Sequence, residues 1–226
     1  MKIEKTLLSL AALVLACGSA QAQSAGQFVV RLGATQITPK VDSGDLSAPS
    51  LAGTKIDVHK DTQVTGGLTY MWTDNIAIDL PIGLPFKHDI VGAGAIDGVG
   101  KLGTVKSLPV TLLAQYRFFD AKATVRPYLG AGVTYARFYD THATAALSGL
   151  TGGTPSNPTT LSMKNAGGGT IQAGVAMNLG GGWTVDMSVQ KVFIKTTGKL
   201  STGQTIDATL DPIAVQIGVG YAFKGL

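Results

Sequence analysis

The chain is short of charge, of cysteine and of long apolar runs, and each shortage removes a class of protein. Asp, Glu, Lys and Arg make up only 14% of the 226 residues, against 45% hydrophobic types, which is lean for a chain wetted on all sides. No apolar stretch beyond the N-terminus reaches the roughly 20 residues a membrane-spanning helix needs, so contact with lipid must be made by strands. The single cysteine, Cys17, lies in a leader, and its removal leaves no disulfide or thiol chemistry. Loss of Lys2, Glu4 and Lys5 with that leader lowers the formal net charge from +4 to +3. Charge this weak and scattered is no footprint for nucleic acid. Thirty glycines and long Ser/Thr/Gly tracts exclude a coiled coil or helical bundle.

Catalytic signatures are also missing. There is no Gly-x-Ser-x-Gly elbow and no His-Glu-x-x-His helix, so no enzyme is expected. Gly98-Val99-Gly100-Lys101-Leu102-Gly103 spells a dinucleotide pattern, but no helix follows to receive a phosphate, and it reads as a flexible loop. His59, His88 and His142 fall in three predicted loops and read as solvated; no metal site and no cofactor is expected.

What is present begins with the leader. Lys2 and Lys5 precede the apolar Leu7 to Ala16, and Ala20-Gln21-Ala22 offers a small-x-small cleavage site, so residues 1–22 read as a secretory signal and 23–226 as the mature domain. Val14-Leu15-Ala16-Cys17-Gly18 loosely resembles a lipobox, a competing reading that the better site downstream outweighs.

The mature domain alternates. From Leu108 to Phe118, Leu108, Val110, Leu112, Ala114, Tyr116 and Phe118 share one face, opposite Thr111, Leu113, Gln115 and Arg117; from Val125, the residues Val125, Leu129, Ala131, Val133 and Tyr135 face away from Arg126, Tyr128, Gly130, Gly132, Thr134 and Ala136. Period two marks strands, and these arms suit the roughly 9 to 11 residues needed to cross a bilayer at a tilt. The same reading gives strands at Gln27 to Thr38, Thr62 to Trp72, Ile76 to Phe86, Leu108 to Phe119, Val125 to Tyr139, Gly169 to Leu179, Trp183 to Thr196 and Ile206 to Phe223. Long connections (Pro39 to Lys60, Lys87 to Ser107, Asp140 to Lys164 and the shorter Thr197 to Thr205) alternate with tight turns. An even strand number with this asymmetry predicts an all-β fold, an eight-stranded antiparallel transmembrane barrel in the bacterial outer membrane, with tight turns and both termini in the periplasm. Lys191 and Lys195 leave the phase of the seventh strand open: they face lipid unless a bulge intervenes or they lie beyond the bilayer.

Three residue sets are candidates for function. Arg31, Asp79, Gln115, Arg117, Arg126, Gln172, Asp186, Gln190 and Gln216 point inward, as a network filling a narrow lumen or as a polar gate beneath an apolar antechamber. Phe28, Tyr70, Trp72, Tyr116, Phe118, Tyr135, Trp183, Tyr221 and Phe223 form interfacial girdles. Pro81 and Pro85 cannot donate to a ladder and predict a break in the wall.

The segments Val30-Arg31-Leu32-Gly33, Leu108-Pro109-Val110-Thr111 with Gln115-Tyr116, Arg126-Pro127-Tyr128-Leu129-Gly130-Ala131-Gly132 and Ile217-Gly218-Val219-Gly220-Tyr221-Ala222-Phe223 resemble, in order and spacing, the OmpW family of small outer-membrane barrels. The resemblance implies a narrow apolar lumen that admits small hydrophobic molecules, with sideways release through the wall. Expected partners are outer-membrane lipids and lipopolysaccharide, the outer-membrane assembly machinery and small apolar solutes. One departure is the tail Lys224-Gly225-Leu226 after Phe223, where such barrels commonly end on the aromatic that the assembly machinery reads. The favoured function is a passive channel for small hydrophobic molecules; the alternatives are a structural or adhesive barrel acting through its loops, and a membrane-embedded hydrolase or acyltransferase.

Overall fold

The computed structural model describes residues 23–224; the leader reading and the last two residues of the tail lie outside the described residues. In chain order the elements are β1 (Gln27–Thr38), β2 (Asp42–Ser43), β3 (Thr54–Val58), β4 (Asp61–Met71), β5 (Ile76–Gly83), β6 (Phe86–Gly94), β7 (Lys101–Arg117), β8 (Val125–Ala143), α1 (Ala145–Thr151), β9 (Leu161–Met163), β10 (Ala166–Gly180), β11 (Trp183–Val192), β12 (Lys195–Leu200), β13 (Thr205–Thr209) and β14 (Ile213–Lys224). Eight of these, β1, β4, β5, β7, β8, β10, β11 and β14, form a closed antiparallel wall. The β1/β14 seam runs from Gln27↔Lys224 to Thr38↔Ile213.

Alternation decides which way each strand faces, because a strand turns successive side chains to opposite sides. Outward positions such as Leu32, Val64, Leu112, Val133, Ile171 and Ile217 are exposed, while inward Thr69, Leu113, Thr134 and Thr170 are buried. At the periplasmic end the turns are tight. Gly180, Gly181 and Gly182 all take positive φ (87°, 60° and 85°), a run of backbone that only glycine adopts without strain.

The other end departs from the sequence reading. Long connections expected to be loops carry β-structure, most fully between Lys87 and Ser107. β6 pairs with both β3 and β7, β8 runs on to Ala143, and β2, β13, β12 and β9 form a second sheet. The strands expected at Trp183 to Thr196 and Ile206 to Phe223 each divide, at Phe193-Ile194 and at Leu210-Asp211-Pro212. Asp211, with φ 33°, marks the second corner. The result is a wall that continues past the lipid-facing band.

Two directional readings change. Phe86, expected outward with Leu84, is buried inside, because the interruption at Leu84-Pro85 between β5 and β6 shifts the chain by one residue and so exchanges its faces. His88, expected in a solvated loop, sits on β6, also buried, with its ring nitrogen 2.8 Å from the His59 carbonyl oxygen. Lys191 and Lys195 keep the outward phase without a bulge in β11 or β12. His59 and His142 are exposed. Asp140 accepts from Lys106 and from His142, and these bonds hold its carboxyl below the usual range. After Gly98 and Gly100 the chain enters strand β7, so the glycine pattern has no helix behind it.

Candidate functional site

The lower lumen is closed by polar side chains. Arg31 on β1 donates to Asp79 on β5 at 2.7 Å and lies 3.8 Å from Asp186 on β11. Thr69 donates to the same Asp79 oxygen at 2.6 Å, and the Tyr128 hydroxyl donates to Asp186 at 3.0 Å. The Arg117 guanidinium lies 4.9 Å from the centre of the Tyr128 ring and donates to Gln115 at 2.9 Å and to Gln23. Gln115 donates to Gln172 at 2.7 Å, and Gln172 to Ser188 at 3.5 Å. Seven of the nine inward residues expected from sequence thus belong to this layer and its floor. Arg126 is the floor: its guanidinium donates to the carbonyls of Gln23 (2.8 Å) and Asp74 (2.5 Å) at the periplasmic mouth. Gln190 and Gln216 stand apart, on the wall of the cavity above. Tyr128, Thr69, Ser188 and Gln23 were not in the expected set; Tyr128 carried the signal, since it shares the inward face with Arg126.

Above the layer the threonine pairs Thr35/Thr65 (2.6 Å), Thr111/Thr134 (2.8 Å) and Thr134/Thr170 (2.5 Å) satisfy one another's hydroxyls, and the lumen then turns apolar. A cavity of about 110 Å³, measured as space open to the centre of a water molecule, is lined by residues including Phe86, Val105, Phe138, Val192, Ile194 and Leu210. A second of about 110 Å³ lies nearer the outer end, among Ile56, Ile96, Leu102, Leu147, Leu200 and Ile206. Met163 of β9 borders both.

The lower cavity reaches the outer face through a break in the wall. β5 pairs with β7 only from Ile76↔Tyr116 to Asp79↔Leu113, and β6 resumes at Phe86↔Ser107. Between these ladders Leu80–Pro85 faces Leu108–Leu112 unpaired. Backbone donors explain it. Leu84 donates to Val64 of β4, so by alternation the amides of positions 81 and 83 face β7; position 81 is proline, and Pro85 sits at the interruption where the faces exchange. Arg117 donates toward Asn75, at the β5 side, so in β7 the amide of position 109 would also face the break, and it too is proline. Two missing donors, at Pro81 and Pro109, face the seam from its two edges, and Pro85 ends it. Ile82 and Leu84 are more than half exposed on the outside and yet line the cavity.

The aromatic set divides by level. Near the periplasmic end Phe28 packs on Tyr70 (4.9 Å) and Phe223 (5.9 Å), Tyr116 on Phe118 (5.1 Å) and Trp183 on Tyr221 (5.2 Å), with Trp72 exposed beside them. Tyr135 marks the outer level, joined by exposed Phe193, which the sequence reading missed because it placed the seventh strand's end in doubt.

Residues 24–223 match the OmpW family. The chain belongs to that family. It is 37% identical to outer membrane protein W of Escherichia coli (strain K12) over 96% of this chain and 98% of that one. It is 25% identical to the dibenzothiophene metabolism operon protein PahQ of Pseudomonas aeruginosa, over 79% of each. The crystal structure of the outer membrane protein OprG from Pseudomonas aeruginosa superimposes with a TM-score of 0.81 at 29% identity, covering 92% of this chain and all of that one. As an OmpW-family barrel the protein is placed in the bacterial outer membrane, its outward apolar face toward lipid and its longer connections outside.

Proposed function

We propose that this OmpW-family barrel takes up small hydrophobic molecules and delivers them sideways into the bilayer. The observation that carries this is the joining of three features in one path: an apolar cavity, a polar layer of Arg31, Asp79 and Asp186 closing the lumen beneath it, and a proline-edged break in the cavity's wall. An apolar solute gains about 25 cal/mol per Å² removed from water. It gains nothing by breaking the charge-assisted bonds of the floor, which it cannot replace. The lateral route is therefore downhill and the straight route is not. The relative PahQ supports the substrate class, since its name ties it to dibenzothiophene, an apolar ring system.

The test is uptake of a labelled apolar solute by cells carrying wild type or the triple variant Pro81→Val, Pro85→Val, Pro109→Val. Restored donors on both edges are expected to close the seam and slow uptake while the barrel stays folded. Undiminished uptake by a folded triple variant would remove the lateral exit, and uptake equal to that of cells lacking the protein would leave an adhesive or structural role.

A further inference from the structure

The outer surface carries a feature that solute uptake does not use. Lys195 and Lys199 project outward from β12, Lys164 lies beside them, and Arg137 projects outward from β8; all four are exposed. None forms an ion pair among the described residues. Three of them are brought together by one short segment, since Lys164 lies in the link between β9 and β10. The Lys164 amide donates to the Thr197 carbonyl at 3.0 Å and Thr196 donates to the Lys164 carbonyl at 2.6 Å, which ties Lys164 to the strand of Lys195. Ala136↔Ala166 pairing and a 2.8 Å bond from the Phe138 amide to Asn165 tie the same segment to the strand of Arg137. Of the acids on this face, Asp211 holds Lys191, while Asp207, opposite Thr197, accepts from its hydroxyl.

Just below these cations the surface has a trough. Tyr135 stands opposite Gly167 and Val133 opposite Gly169, while the Phe193 amide donates to the Gly169 carbonyl at 2.9 Å from the other side. Gly167 and Gly169 both face outward, so between the exposed Tyr135 and Phe193 lies a stretch without side chains, about 7 Å long at a strand's rise. Local packing does not demand these glycines. A Cβ on Gly169 would meet nothing within 4 Å, and one on Gly167 only ordinary contacts at 3.6 and 3.8 Å; neither has positive φ. Gly168 between them differs, because a Cβ there would overlap the Phe193 carbonyl.

We propose that this is a binding site for a phosphorylated glycolipid of the outer leaflet, its phosphate held by Arg137, Lys164 and Lys195 and an acyl chain lying in the Gly167/Gly169 trough between Tyr135 and Phe193. The chemistry of each part fits. An arginine fork and two ammoniums give charge-assisted bonds to phosphate. The trough sits at the aromatic level where headgroup meets hydrocarbon. It also explains why lysines continue the outward phase of a strand whose lower half faces lipid. The inference stands independently of the uptake reading.

The mature protein, reconstituted in phosphatidylethanolamine nanodiscs with a small fraction of diphosphoryl lipid A, would be ejected into a native mass spectrometer and scored for retained lipid A. Wild type is expected to retain it. Arg137→Gln with Lys164→Gln and Lys195→Gln should lower retention about tenfold or more, as loss of charge-assisted bonds implies. Gly169→Leu, which fills the trough and leaves the charges, should lower it severalfold, and Lys122→Gln at the opposite end should leave it unchanged. Gel migration before and after boiling checks that each variant is folded. The proposal is overturned if the folded triple variant or Gly169→Leu retains lipid A as wild type does, if Lys122→Gln loses as much as the triple, or if inorganic phosphate displaces lipid A as effectively as added lipid A.

Discussion

Asp79 closes the lumen by accepting from Arg31 and Thr69 at once, inside a layer where both charges are buried. Its removal leaves Arg31 with Asp186 alone, at 3.8 Å. Asp79→Ala is therefore expected to cost about 3 to 5 kcal/mol, the usual penalty for stranding a buried charge. Replacing both partners, Arg31→Met with Asp79→Leu, should recover most of that loss. Urea unfolding in lipid checks both, and a single variant as stable as wild type would mean that water already screens the pair. The lipid face obeys a different rule. Leu112 and Val133 are cross-strand partners, each more than half exposed to the bilayer, and arginine at either should cost about 2 to 4 kcal/mol. Arginine at Gly130 would act from inside instead, where a Cβ already comes within 3.1 Å of the Gln172 side-chain oxygen and 3.3 Å of Gln115. Unaltered stability for both lipid-face variants would reverse the assignment of inside and outside.

At the scale of elements, strands were legible in sequence where one side meets hydrocarbon and the other a polar lumen. Leu112, Val110 and Leu108 against Thr111 and Gln115 is a strong contrast. Above the bilayer the contrast inverts: the outside is wet and the inside apolar, and Thr196, Gly198, Leu200, Ile206 and Ala208 line the inside beside outward Lys195, Lys199 and Asp207. Serine, threonine and glycine are so frequent there that the segment read as loop. The inward residues of the floor were legible because a charge on a lipid-facing strand has nowhere else to go. The edge of the break was only half legible: Pro81 and Pro85 stood out, but Pro109 gains its meaning from the register that sets it across from them. The β12/β13 hairpin offers a test of the upper sheet. Its replacement by a short Gly/Ser turn removes Leu200 and Ile206 from the outer cavity and touches none of the eight wall strands. The shortened protein is expected to fold and to take up an apolar solute more slowly. Normal uptake would make the outer cavity dispensable.

As a whole molecule the wall is one closed ladder except at the break, so nearly every backbone donor in the hydrocarbon zone is satisfied by a neighbouring strand. Detergent alone should not open it, and unboiled protein is expected to migrate apart from boiled protein on a gel, with a β-type circular dichroism spectrum. Identical migration with a helical spectrum would refute the barrel. The seam that closes this wall, Gln27↔Lys224, joins the first described strand to the last, and that has a consequence in time. Every register pair of β1 with β14 waits on the last strand to be made, across nearly the longest loop the chain allows. Closing such a loop is entropically costly before any contact rewards it, and ladders of this separation form slowly. Until then β1 and β11 present open edges above an apolar face, the form in which strands aggregate. The interval between synthesis and closure, rather than the stability of the finished wall, is where this chain most needs to be kept from pairing with another copy of itself.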